Sequence, residues 1–82
     1  MVMRIDMAVR HRILDLCAER HITINKLGTM SGVTQSTINN FISGINCSTT
    51  ISTIKKLCDG LEISVIEFFT DEVFENLEQE IK

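Results

Sequence analysis

The residues best equipped for chemistry lie between positions 35 and 43. Gln35, Ser36, Thr37, Asn39, Asn40 and Ser43 offer amides and hydroxyls and no charge. Each can donate and accept hydrogen bonds. As a group they are poor helix formers. Read as a helix, the segment sets this polar face against an apolar stripe of Ile38, Phe41 and Ile42. The polar face is either simply solvated or shaped to meet hydrogen-bonding edges on another molecule. Covalent chemistry is not supported: no nucleophile–base pair, carboxylate pair or phosphate-cradling loop stands at useful spacing, so an enzyme is not expected.

The remaining reactive side chains read as structural. Cys17, Cys47 and Cys58 are odd in number and form no C-x-x-C pair. That argues against a disulfide framework and a zinc knuckle. Free thiols in a reducing, cytoplasmic setting are expected, with Cys58 in the core and Cys47 in a loop. His11 and His21 stand ten residues apart without a carboxylate at ligand spacing, and read as surface helix residues. No metal, cofactor or small-molecule ligand is expected. No apolar run approaches the roughly 20 residues that span a bilayer.

The elements that position the polar face follow from periodicity. Val9, Ile13, Leu16 and Cys17 share one face of a helix over 6–20, with Asp6 as its expected N-cap. A second helix over 24–31 starts at Thr23 and turns Leu27 and Met30 inward. The third covers 35–43, capped by Thr34 and stopped by Gly44. A loop over 45–50 leads to a fourth helix over 51–60 carrying Ile51, Ile54, Leu57 and Cys58. Ser64 caps a fifth at 65–69, with Val65, Phe68 and Phe69 inward. Phe74, Leu77 and Ile81 then mark a sixth helix or a frayed tail. The expected class is all-α, with 82 residues making one small domain.

The spacing around Gly32 is the most specific feature. Leu27 and Gly28 precede it by five and four residues; Val33, Ile38 and Phe41 follow. This predicts a helix, a corner at Gly32 that needs positive φ, and a second helix packed across the first. Gly28 costs a helix about 1 kcal/mol relative to Ala, so close helix approach is its expected reason. The pattern is a helix-turn-helix, whose second helix can enter a DNA major groove.

On these residues the chain resembles the Cro/repressor-type (XRE-like) helix-turn-helix regulators of bacteria and phages. ITINKLGTMSGVTQSTINNFISG resembles their second and third helices, and TISTIKKLCDGLEISVIEFF their fourth and fifth. The resemblance spans roughly residues 9–69. It implies a compact five-helix, lambda-repressor-like domain over 1–70, with an acidic amphipathic helix or tail at 71–82. It also implies a homodimer on double-stranded DNA, for which helix five and the tail are the expected contact.

By the same resemblance Gln35, Ser36 and Asn40 match positions that touch base edges, with Thr37 and Asn39 on the flanks. Thr23, Lys26, Thr34, Ser43 and Asn46 are the implied phosphate partners, and Arg12 adds nearby positive charge. Departures are equally specific. Many members carry Ala at Gly28, and a buried Arg–Glu pair at Cys17 and Ile42. Here both of those partners are apolar, so Cys17 and Ile42 are expected to touch. A frequent phosphate-binding Gln is replaced by Ile24, and the often basic loop after Gly44 is uncharged at Ile45, Asn46 and Cys47.

The charge distribution fits a weakly basic body. Residues 1–60 hold seven Lys/Arg against four Asp/Glu, a net of +3; residues 61–82 hold one Lys against seven Asp/Glu, a net of −6. Local potential matters more to phosphate binding than the total of −3. The leading expectation is a sequence-specific transcriptional regulator. The alternative is a protein-binding module on the same fold, an antitoxin or anti-repressor with little DNA binding.

Overall fold

A computed structural model describes residues 3–44 and 49–81. Its helices are α1 (Ile5–Glu19), α2 (Ile24–Ser31), α3 (Gln35–Ser43), α4 (Ile51–Leu61) and α5 (Val65–Phe69). All five match the expected ranges to within one residue at each end. The N-caps explain the agreement. Thr23, Thr34, Thr50 and Ser64 each accept a hydrogen bond from the backbone N–H three residues on. α1 differs. Its N-cap is Arg4, which makes no side-chain cap, and Asp6 lies inside the first turn, bonded to its neighbour Met7 N at 2.8 Å.

Three helices end in the same way. His21, Gly32 and Glu62 take left-handed φ values of 56°, 69° and 60°. The next N–H then reaches back five residues: Ile22 to Cys17 O, Val33 to Gly28 O and Ile63 to Cys58 O, each at 3.0 Å. Each reversal turns an apolar side chain, Ile22, Val33 or Ile63, onto the core. Of the three corners only Gly32 is a strong sequence signal, because positive φ is uncommon in any non-Gly residue, even in His, which adopts it more often than Glu.

Phe41, Phe68, Ile13, Leu27, Ile38, Leu57, Leu61 and Cys58 are the largest side chains closed off from solvent. α2 packs closely on α4, where a β-carbon on Gly60 would sit 3.2 Å from Ser31 Cβ and collide with its hydroxyl. Gly60 is therefore a second close-approach glycine. Three residues expected to face inward do not: Met30 and Ile42 are each 47% exposed, and Ile51 is 69% exposed. Each sits at the edge of its helix's apolar stripe. Ile42 lies outside the core cluster that holds Cys17. Of the two, Cys17 is buried and Ile42 stays open to solvent.

Residues 71–81 do not form a sixth α-helix. Asp71 caps a single 3-10 turn, Glu72–Phe74, and Leu77 then pairs with Met3 in an isolated parallel bridge. Two effects favour this path. Glu72, Glu75 and Glu78 would repel one another along a helix at i, i+3 spacing. The turn also places Phe74 against Phe69 and Phe68, with ring centroids 4.9 and 6.1 Å away.

Candidate nucleic-acid interface

The corner between α2 and α3 is built around Gly28 and Gly32. A β-carbon at Gly28 would come within 2.6 Å of Ile38 Cγ1, so this glycine lets α3 lie directly on α2. Gly32 has open space around its α-carbon and is required for its φ of 69° alone. With Ile38 and Phe41 buried beneath, the opposite side of α3 must face solvent.

Gln35, Ser36, Asn39 and Asn40 are all exposed there. Gln35 Nε2 donates to Asn39 Oδ1 at 3.0 Å and, across the corner, to Asn25 Oδ1 at 3.2 Å. Thr37 is placed differently. It is half-buried, and its hydroxyl lies 3.1 Å from that of Thr34, inside the cap of α3. Its role in the free protein is to hold the start of the helix.

The expected phosphate partners cluster at helix ends. Thr23 and Thr34 occupy the N-caps of α2 and α3, with Thr23 Oγ1 accepting from Lys26 N at 3.0 Å. Helix N-termini carry a partial positive charge that suits an anion. Lys26 is exposed on the first turn of α2. Ser43 closes the far end of α3, its hydroxyl donating to Asn40 O at 3.2 Å. Asn46 and Cys47 lie outside the described residues.

Arg12 is withdrawn from any such surface. It is 8% exposed, and its guanidinium donates to Phe68 O at 2.8 Å, Glu67 O at 3.0 Å and Asp71 Oδ2 at 3.2 Å. It closes the C-terminal end of α5 and adds no positive charge near α3. Arg10 takes on a role that periodicity did not reveal. It donates to Phe41 O at 2.6 Å and Ile42 O at 3.3 Å, tying α1 to the last turn of α3. Its signal was only that a cation suits a helix C-terminus.

The Cro/C1-type HTH DNA-binding domain family matches residues 12–73, a span that includes the whole corner. The chain belongs to this family. The crystal structure of the prophage Lp1 protein 11 is similar to it, with a TM-score of 0.79 and 32% sequence identity. That similarity covers 93% of this chain and 100% of the other. No curated protein matches. Among the described residues the Cro/C1-type domain is thus an all-α fold with five α-helices, of which α2 and α3 form its helix-turn-helix. Among the described residues no helix is long and apolar enough to cross a membrane. Nor do they hold a cluster of His, Cys, Asp or Glu that would bind a metal.

Proposed function

We propose that this Cro/C1-type domain is a sequence-specific transcriptional regulator of bacterial or phage type, with α3 lying in the major groove. The observation that carries the reading is the outward face of α3. Gln35, Ser36, Asn39 and Asn40 are exposed on a helix held rigidly from behind by Ile38 and Phe41. Amide and hydroxyl side chains match the donors and acceptors on base edges. Phosphate contacts come from the N-termini of α2 and α3, at Thr23, Lys26 and Thr34, and from Ser43 at the far end of α3; Asn46 is a further partner by the sequence resemblance alone. The similarity to a prophage protein supports the phage-type assignment.

A homodimer through α5 accompanies this reading, since two half-sites one turn apart need two recognition helices about 34 Å apart. It is supported by Ile66 on α5, a large apolar side chain 80% exposed. The Phe69–Phe74 stack and the Leu77–Met3 bridge engage part of the tail within one chain, which leaves Ile66 on α5 and Ile81 in the tail as the exposed apolar candidates for the contact.

Selection of bound fragments from random and genomic DNA tests the reading. An enriched motif is expected. Gln35→Ala and Asn40→Ala should each then weaken binding to it by about 1–3 kcal/mol without changing the helical content. One observation favours a protein-binding module instead: Lys26 is the only Lys, Arg, Asp or Glu between positions 21 and 54. Enrichment of no sequence, together with a co-purifying protein partner, would establish that alternative.

A further inference from the structure

We infer that Asn25, on α2, positions Gln35 and determines which base it accepts. The inference rests on the DNA-reading proposal and adds a residue outside α3 to the readout. A glutamine amide has two N–H donors and one acceptor oxygen. Both Gln35 donors are engaged, one on Asn25 Oδ1 at 3.2 Å and one on Asn39 Oδ1 at 3.0 Å. Asn39 is one turn along the same helix and holds the amide only along α3. Asn25 approaches from the other helix and fixes its orientation across the corner.

Two consequences follow. With Nε2 engaged, Oε1 is the atom that Gln35 has left to offer. It then reads as an acceptor and meets an exocyclic amine, N6 of adenine or N4 of cytosine. It does not reach the bidentate adenine contact, which also requires a Gln N–H on N7. The side chain is also ordered before DNA arrives. An exposed glutamine loses rotamer freedom on docking, and restraint in the free protein removes part of that loss. Asn25 and Asn39 each retain an NH2 group for an acceptor in the groove or on the backbone.

The test is selection from random DNA with the full chain, its Gln35→Ala variant, and Asn25→Ala and Asn25→Asp. The base pair read by Gln35 is the one whose preference disappears in Gln35→Ala. The wild type should prefer adenine or cytosine there, on the strand facing Gln35. Asn25→Ala should reduce that preference by about fivefold, the low end of one good base contact, and leave the rest of the motif unchanged. Asn25→Asp should keep the preference, because a carboxylate still accepts from Nε2, while weakening binding to every sequence through its charge. Asn25 is exposed, so both variants should melt like the wild type. Uniform weakening by Asn25→Ala with an unchanged motif would make Asn25 a backbone contact and overturn the inference. So would a wild-type preference for guanine or thymine at that position. If the wild type enriches no sequence, the DNA-reading proposal itself has failed, and the inference falls with it.

Discussion

Arg10 Nε donates to the carbonyl of Phe41 at 2.6 Å, joining the middle of α1 to the last turn of α3. The same guanidinium reaches Ile42 O at 3.3 Å and packs 3.5 Å from the position of a β-carbon on Gly44. The final carbonyls of a helix lack partners within it, and a cation there is favoured by the helix dipole. Arg10→Met should therefore destabilise the domain by about 1–2 kcal/mol. Arg10→Lys should restore only part of this, because one ammonium cannot reproduce the fork. The loss should be local first: hydrogen exchange should accelerate in the last turn of α3 more than in α4. Equal protection there in wild type and Arg10→Met would show that Arg10 does not hold α3.

Arg12 makes the corresponding link from α1 to α5, but from a buried position. Its three acceptors come from two elements, and Asp71 also caps the following turn by accepting from Val73 N at 2.9 Å. Arg12→Met would leave the Phe68 carbonyl without the Arg12 donor and Glu67 O with the Thr70 N–H alone, and a loss of about 2–4 kcal/mol in urea unfolding is expected. Asp71→Asn should cost less than about 1 kcal/mol, because that carboxylate is 31% exposed and solvent screens the pair. Equal effects from the two substitutions would place the energy in the ion pair rather than in the carbonyl contacts.

The contrast between the two arginines marks how far the sequence was legible. Helix positions were readable because the caps Thr23, Thr34, Thr50 and Ser64 are local signals, as is the glycine at 32. The outward face of α3 was readable because Ile38 and Phe41 fix what lies behind it. Contacts far apart along the chain were not. Arg10 and Arg12 sit two positions apart on α1, and the helical period puts them on nearly opposite faces, but it does not say that α3 meets one face and α5 the other. The Asn25–Gln35 bond was hidden for the same reason, since it crosses a corner. The tail followed a helical pattern but was overruled by like charge and by the attraction of Phe74 to Phe69.

Burial raises the thiol pKa of Cys17 above its ordinary value of 9.0. It does the same to Cys58, where Asp59 adds to the rise and Lys55 and Arg12 oppose it. Unfolded, both thiols ionise near pH 9; folded, they keep their protons to higher pH. The folded state then binds more protons than the unfolded state above pH 9. Stability from this source is complete below pH 9 and is lost as pH rises through the folded values. Urea midpoints should fall as pH rises above about 9, and Cys17→Val should flatten the fall. At pH 7.5, a maleimide should label Cys17 and Cys58 only in denaturant. Rapid labelling of either thiol in the native protein would contradict their burial.

Salt dependence offers a direct measure of how this domain meets DNA. Each phosphate neutralised by a cation contributes about −0.9 to the slope of log K against log salt. Lys26 is the only Lys or Arg between positions 21 and 54, Arg10 and Arg12 are engaged within the fold, and Lys55 is bound to Asp59 one turn away. Two copies of Lys26 in a dimer predict a slope of about −2, with the remaining phosphate contacts made by uncharged donors that release no counterion. Lys26→Ala should bring the slope close to zero while preserving the preferred sequence, because a phosphate contact carries no base information. A measured slope of about −6 or steeper would require further cations such as the exposed Arg20 and Lys56 to meet phosphate, and would extend the DNA contact beyond Lys26.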